Sequence, residues 1–167
     1  DFVEYKRHFC AMVTGVDMAL GQILSTLQEI EQLNDTLIIL SSDHGDMCGD
    51  LRMLQKGATK FYDPVTRVPC VLHWPNGFGT EPRALDGLIE KLDVLPTLLE
   101  LCNGHVPSMM VGNSYARALL ERTECEFRED VLCYSNPPVA AMLRTDEFKY
   151  CRLVDRNREV LFNLKND

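Results

Sequence analysis

A helix-length stripe that passes through a tight turn into an unbroken apolar run constrains this chain more than any other feature. From Phe2 to about Gln32, residues Phe9, Met12, Val13, Val16, Leu20, Ile23, Leu24, Leu27 and Ile30 recur at steps of three and four, the period of one buried helical face. Asp17 and Gly21 interrupt the stripe. Gly21 would admit a neighbouring element at close range, and Asp17 is either exposed beside the stripe or a buried, bonded carboxylate. Asn34-Asp35 reads as a turn. Thr36-Leu37-Ile38-Ile39-Leu40 then runs apolar without alternation, which fits a strand covered on both faces, as in a parallel sheet. Helix, turn and covered strand in that order is the rhythm of an α/β fold.

Residues 43–64 are rich in Gly, Asp and Lys and show no sustained period; they are predicted to form a long loop with one short helix, a length that usually signals function. Arg67-Val68-Pro69-Cys70-Val71-Leu72-His73-Trp74 reads as a second covered strand with Pro69 near its start, closed by Pro75-Asn76-Gly77. Asp93 opens a helix with Pro96 in its first turn, ended by Asn103-Gly104, and a short helix runs from Tyr115 to about Arg122. After Glu126 the character changes. Segments 131–134, 140–145, 148–154 and 160–164 read as strands joined by turns at Asp146-Glu147 and Asp155-Arg156-Asn157, so the last ~40 residues form a small antiparallel sheet.

With 46% apolar residues over 167 positions the chain can build a real core. Its net charge of -8 argues against nucleic acid or an anionic membrane surface as partner, and no uninterrupted apolar run approaches the ~20 residues of a membrane span. The seven cysteines, Cys10, Cys48, Cys70, Cys102, Cys125, Cys133 and Cys151, form no CxxC pair and several sit in apolar runs. They are expected to be reduced and mostly buried, which fits a cytoplasmic protein. The chain opens at Asp1 and already reads as helix, so the true N-terminus is expected to lie upstream.

The chemistry concentrates in Ser41-Ser42-Asp43-His44-Gly45-Asp46, which follows the first strand. In open α/β sheets ligands bind outside the carboxyl ends of the strands. Asp43 and His44 can both reach one cation if the backbone turns sharply, which Gly45 permits, and a carboxylate with an imidazole suits Mn, Zn, Fe or Ca. On the dyad alone, a polar turn that binds nothing is an equal reading. Asp46 and Asp50 are read as solvated or structural.

The ordered series Ser-Asp-His-Gly-Asp, Gly49-Asp50, Leu54-Gln55-Lys56-Gly57, Phe61-Tyr62-Asp63 and Arg67-Val68-Pro69 resembles the sulfatase family of the alkaline-phosphatase-like superfamily. Val16-Asp17 with Gly21, Asp35-Thr36-Leu37-Ile38-Ile39, Leu92-Asp93-Val94-Leu95-Pro96-Thr97-Leu98-Leu99, Leu143-Arg144-Thr145 with Lys149-Tyr150, and Leu161-Phe162-Asn163-Leu164 with Asn166-Asp167 resemble further pieces of that family in order. The fold this implies is α/β: part of an alkaline-phosphatase-like domain, mostly parallel sheet with flanking helices, over residues 1–125, followed by the antiparallel subdomain at 126–167.

That resemblance implies roles. Asp43 and His44 match the two metal ligands after the strand, and Lys56 matches the lysine that contacts the sulfuryl or phosphoryl oxygens, where an ammonium would stabilise developing charge. Lys60 is a rival by proximity. The implied metal is divalent, Ca foremost, with Mn, Mg and Zn open. The family's nucleophile is a formylglycine made from a Cys or Ser in a Cys/Ser-x-Pro/Ala-x-Arg motif, and none of the seven cysteines here precedes that pattern. The chain is therefore expected to be the inactive C-terminal part of a sulfuric ester hydrolase acting on a small-molecule sulfate ester, of undefined oligomeric state. A phosphonate monoester or phosphodiester hydrolase, or a non-catalytic domain that keeps the fold, are the alternatives. Leu51 stands where many relatives have a histidine. His73 is expected to be a bonded core residue and His8 a surface one, and His105 matches no catalytic position.

Overall fold

The computed structural model describes residues 1–57, 60–135, 139–154 and 157–166. These form two compact units, Asp1–Gly79 and Thr80–Asp167, each considered by itself. Asp155, Arg156 and Asp167 lie outside the described residues, and with them part of one predicted turn.

The first unit opens with α1 (Phe2–Glu29), whose first turn is capped by the Asp1 carboxylate accepting from the Val3 N–H at 2.9 Å. Its stripe is present but only half covered. Tyr5, Phe9, Leu20, Leu24 and Leu27 are half-buried, whereas Met12, Val16, Ile23 and Ile30, on the other edge of the same stripe, are exposed. No residue of α1 is fully buried, so the expected buried face is corrected: periodicity marks a face that needs a cover, and this unit supplies little of it. Asp17 is exposed. Gly21 does not serve a close approach, because a Cβ there would meet nothing within 4 Å. By length and composition alone α1 is long and apolar enough to cross a membrane, as are many core helices of soluble proteins.

β1 (Ile38–Ser41) and β2 (Cys70–His73) pair antiparallel, with Ile38 opposite His73 and Ser41 opposite Cys70. Each run reads in sequence as a strand covered on both faces, as in a parallel sheet; with each other the two pair antiparallel. A continuous apolar run reports demand for cover on both faces and is silent on strand direction. Nor are they buried: both are half-covered to exposed, with Val71 at 55% and His73 on the exposed side, so His73 is not a core histidine. Between them lie a short α2 (Asp63–Thr66) and a 3₁₀ turn at Asp50–Arg52. After β2, α3 (Pro75–Phe78) is fastened by the Asn76 amide donating to the Asp35 carboxylate at 2.5 Å.

In the second unit a 3₁₀ turn at Lys91–Asp93 runs into α4 (Val94–Leu101), and α5 (Ala116–Glu121) follows. A meander β3 (Val131–Tyr134), β4 (Ala140–Arg144), β5 (Phe148–Leu153) and β6 (Arg158–Asn163) makes an antiparallel sheet in sequential order. The small C-terminal sheet stands where the strand-and-turn pattern puts it. Ala140, Met142, Cys151 and Leu153 bury one face of it, and Leu101, Tyr115, Ala116 and Ala118 are buried on and around the two helices. All seven cysteines are free thiols, but only Cys151 is fully buried and Cys10 and Cys102 are exposed. The expectation of mostly buried thiols is corrected accordingly, since an apolar neighbour in sequence does not guarantee cover in space.

Candidate metal centre

The site begins where β1 stops. The Ser42 hydroxyl donates to the His44 carbonyl at 2.7 Å, and the His44 backbone N–H donates to Asp43 Oδ1 at 2.9 Å. These two local bonds curl the chain so that Asp43 and His44, neighbours in sequence, face the same point. With Oδ1 occupied by the backbone, Asp43 presents Oδ2. The same N–H bond is the main reason its carboxyl is held below the usual carboxylate range, with the nearby His44 and Lys56 charges helping and desolvation opposing.

His44 is oriented from its other side. Its Nδ1 lies 2.9 Å from the Gly45 carbonyl. A carbonyl only accepts, so Nδ1 carries the proton, and Nε2 is the ring nitrogen turned toward Asp43 and Lys56. This is the usual outer-shell arrangement for a metal-binding imidazole. Asp43 Oδ2 and His44 Nε2 are 3.2 Å apart. Two atoms each ~2.2 Å from one ion would stand about 3.1 Å apart at a right angle, so the pair fits two adjacent positions of one coordination sphere. Among the described residues no third His, Cys, Asp or Glu joins them. They are two candidate donors.

The two lysines separate cleanly. Lys56 places its Nζ against His44 Nε2. Lys60 turns to the backbone instead: its ammonium donates to the carbonyls of Leu54 at 2.6 Å and Gln55 at 3.1 Å, which pins the loop that carries Lys56. Asp46 is likewise committed to structure. Its Oδ2 accepts from the Tyr5 hydroxyl at 2.9 Å and its Oδ1 from the Cys48 N–H at 2.7 Å, fastening the loop to α1. Asp50 stands 3.9 Å from Lys6. Leu51 is exposed in a left-handed conformation. His8 is exposed on α1, and His105 is exposed in the other unit. The Tyr5–Asp46 tie escapes sequence reading, because 41 residues separate its partners.

Gly45 has a different purpose from the one its sequence position suggests. Its φ is not positive. Instead the segment at α2 lies directly on it: its N–H donates to the Val65 carbonyl at 2.8 Å, and a Cβ would come within 2.0 Å of the Pro64 carbonyl oxygen. Gly45→Ala is therefore expected to cost about 1–3 kcal/mol by overpacking and to displace His44 with it. Chemical denaturation and a divalent-metal titration of the full-length variant would check both effects.

The family model described as Sulfatase matches residues 4–105. The chain is 31% identical over 162 residues to the multifunctional alkaline phosphatase superfamily protein PehA of Trinickia caryophylli, covering 92% of this chain and 31% of that protein. It is 29% identical over 173 residues to an arylsulfatase of Clostridium perfringens, covering 97% of this chain and 34% of the relative. The crystal structure of a phosphonate monoester hydrolase from Agrobacterium radiobacter superposes with a TM-score of 0.77 at 28% identity, over 93% of this chain and 34% of that one. The chain thus spans about a third of the length of the curated relatives it matches, and its structural neighbours share the alkaline-phosphatase-like fold. On the match of the family model over most of its length, this chain belongs to the sulfatase family.

Proposed function

We propose that this chain is the C-terminal part of the catalytic domain of a metal-dependent sulfuric ester hydrolase, contributing Asp43 and His44 as metal ligands and Lys56 as the contact to the transferring group. The observation that carries this reading is the convergence of Asp43 Oδ2, His44 Nε2 and Lys56 Nζ at the end of β1. A divalent ion bound there, Ca foremost with Mn, Mg or Zn as alternatives, would supply Lewis-acid polarisation of the ester and lower the pKa of the nucleophile. Asp43 would hold it through Oδ2 and His44 through Nε2. The Lys56 ammonium would offset charge on the transferred sulfuryl oxygens. None of the seven cysteines carries the formylglycine motif, so the nucleophile and the remaining ligands are assigned to a part of the protein outside this chain. The substrate class is a small-molecule or glycan sulfate ester, and the acidic net charge of -8 disfavours a nucleic acid.

A second reading, hydrolysis of phosphonate monoesters or phosphodiesters, is supported by the similarity to the Agrobacterium enzyme. Parallel assays of the full-length protein on 4-nitrophenyl sulfate and bis-4-nitrophenyl phosphate, each with Ca or Mn, separate the two. Higher kcat/KM on the sulfate is expected, and a preference for the phosphodiester would reverse the assignment. The chain alone is expected to turn over neither substrate, and turnover by it would mean that the nucleophile lies within these residues.

A further inference from the structure

The loop that leads from Asp46 to Lys56 rests on the first two turns of α1. Met47 is fully buried. Gly49 lies against the helix, since a Cβ there would meet Lys6 Cε at 3.3 Å and Phe2 Cδ1 at 3.4 Å. From the same helical turns the Tyr5 hydroxyl donates to Asp46 Oδ2 at 2.9 Å, while Asp46 Oδ1 accepts from the Cys48 N–H at 2.7 Å. That hydrogen bond to Asp46 is the main reason the Tyr5 hydroxyl is pushed above its ordinary pKa, with partial desolvation and the Asp46 and Cys48 charges adding to it. The Gln55 backbone, bonding the same hydroxyl, opposes the rise. One hydroxyl thus faces both ends of the loop: Asp46, where it begins, and Gln55, the residue before Lys56.

We infer that Tyr5 is a positioning residue for the reaction: its hydroxyl fixes the loop 46–55 on α1 in the conformation that presents Lys56 to the transferring group. This rests on the role proposed above for Lys56 and adds a residue outside the loop that sets it. The loop needs such a tie. Cys48, Leu51, Arg52 and Gln55 have φ of 49°, 51°, 57° and 61°, a left-handed conformation that is uphill for residues with a Cβ and persists where surrounding contacts impose it. The bonds within the loop close it on itself. The Gly49 N–H donates to the Met53 carbonyl at 2.8 Å, and the Lys60 ammonium holds the Leu54 and Gln55 carbonyls. None of these bonds reaches α1. Lys6 and Asp50 are 3.9 Å apart and both largely exposed, a weak pair in water. The half-buried Tyr5 therefore supplies the directional bond between helix and loop.

The test is a double-mutant cycle in the full-length protein with added Mn²⁺, on whichever of 4-nitrophenyl sulfate and bis-4-nitrophenyl phosphate it hydrolyses faster. The four proteins are the parent, Tyr5→Phe, Lys56→Ala and the double variant. Tyr5→Phe keeps the ring and removes only the hydroxyl. It is expected to lower kcat about 3- to 30-fold with KM within about threefold, the pattern of an interaction lost in the transition state. Lys56→Ala is expected to lower kcat/KM at least about 10²-fold. In the Lys56→Ala background, Tyr5→Phe is expected to change kcat/KM by less than about twofold, because no lysine is left to position. A hydroxyl that only stabilised the fold would cost the same factor in both backgrounds. If Lys56→Ala loses activity but Tyr5→Phe matches the parent, changes KM alone, or costs the same factor in both backgrounds, the positioning role is overturned while the role of Lys56 stands. If Lys56→Ala keeps the parent's kcat/KM, the role of Lys56 is wrong and that of Tyr5 falls with it.

Discussion

Asp93→Ala is expected to destabilise the unit Thr80–Asp167 by about 3–5 kcal/mol, the cost of breaking a buried ion pair by removing one partner. Asp93 is only 2% exposed. Its Oδ1 accepts from the Asn113 N–H at 2.7 Å, and its Oδ2 accepts from the Glu90 N–H at 2.7 Å and from Arg128 Nε at 3.2 Å. Arg128 Nη2 also donates to Oδ1. One carboxylate thus fastens the turn that starts α4, the segment before α5, and the strap that leads into β3. Burial opposes the Arg128 charge, but the hydrogen bond and charge of Asp93 and the charge of Glu90 outweigh it and hold the guanidinium above its ordinary pKa. Without Asp93, Arg128 loses its main carboxylate partner and is left beside Glu90 at 3.3 Å, and two backbone N–H groups lose their acceptor. Thermal or urea unfolding of the full-length protein reads the loss. A shift below about 1 kcal/mol would show that water replaces the carboxylate at little cost.

His44→Ala is expected to lower kcat/KM of the full-length enzyme by at least about 10²-fold, the scale on which removal of one preorganised electrostatic element acts, and to lower bound metal in parallel. The imidazole is oriented by the Gly45 carbonyl with Nε2 toward Asp43, and the other two histidines of its unit, His8 and His73, are exposed on their own elements. Steady-state kinetics together with metal stoichiometry by atomic emission would check it. Parent-like activity and metal content in the variant would favour the reading of this chain as a non-catalytic domain.

Local pattern carried the regular elements well. The helix after Asp93 and its stop at Asn103-Gly104 are legible because Pro in a first turn and a left-handed Asn before Gly are short-range signals; Asn103 does adopt φ 56°. The four C-terminal strands are legible because turn residues and strand formers alternate at short spacing. The position of Asp43 and His44 at a strand end needed only the run Thr36–Leu40 followed by Ser-Ser-Asp-His-Gly.

What the tertiary structure alone decided lies in contacts between residues far apart in the chain. Lys56 and Lys60 share one aperiodic loop, in which the family resemblance favours Lys56 and leaves Lys60 a rival by proximity; in the structure Lys56 lies against His44 and Lys60 on the Leu54 and Gln55 carbonyls. Gly45 looks like a turn glycine, and only the Pro64 carbonyl lying on it shows that it is there for clearance. The direction of β2 against β1 and the half-covered stripe of α1 belong to the same class. Hydrophobic period measures how much cover a segment requires, a property of that segment's own residues. Which neighbour provides the cover, and whether a side chain ends on an imidazole or a carbonyl, is settled by where distant segments pack.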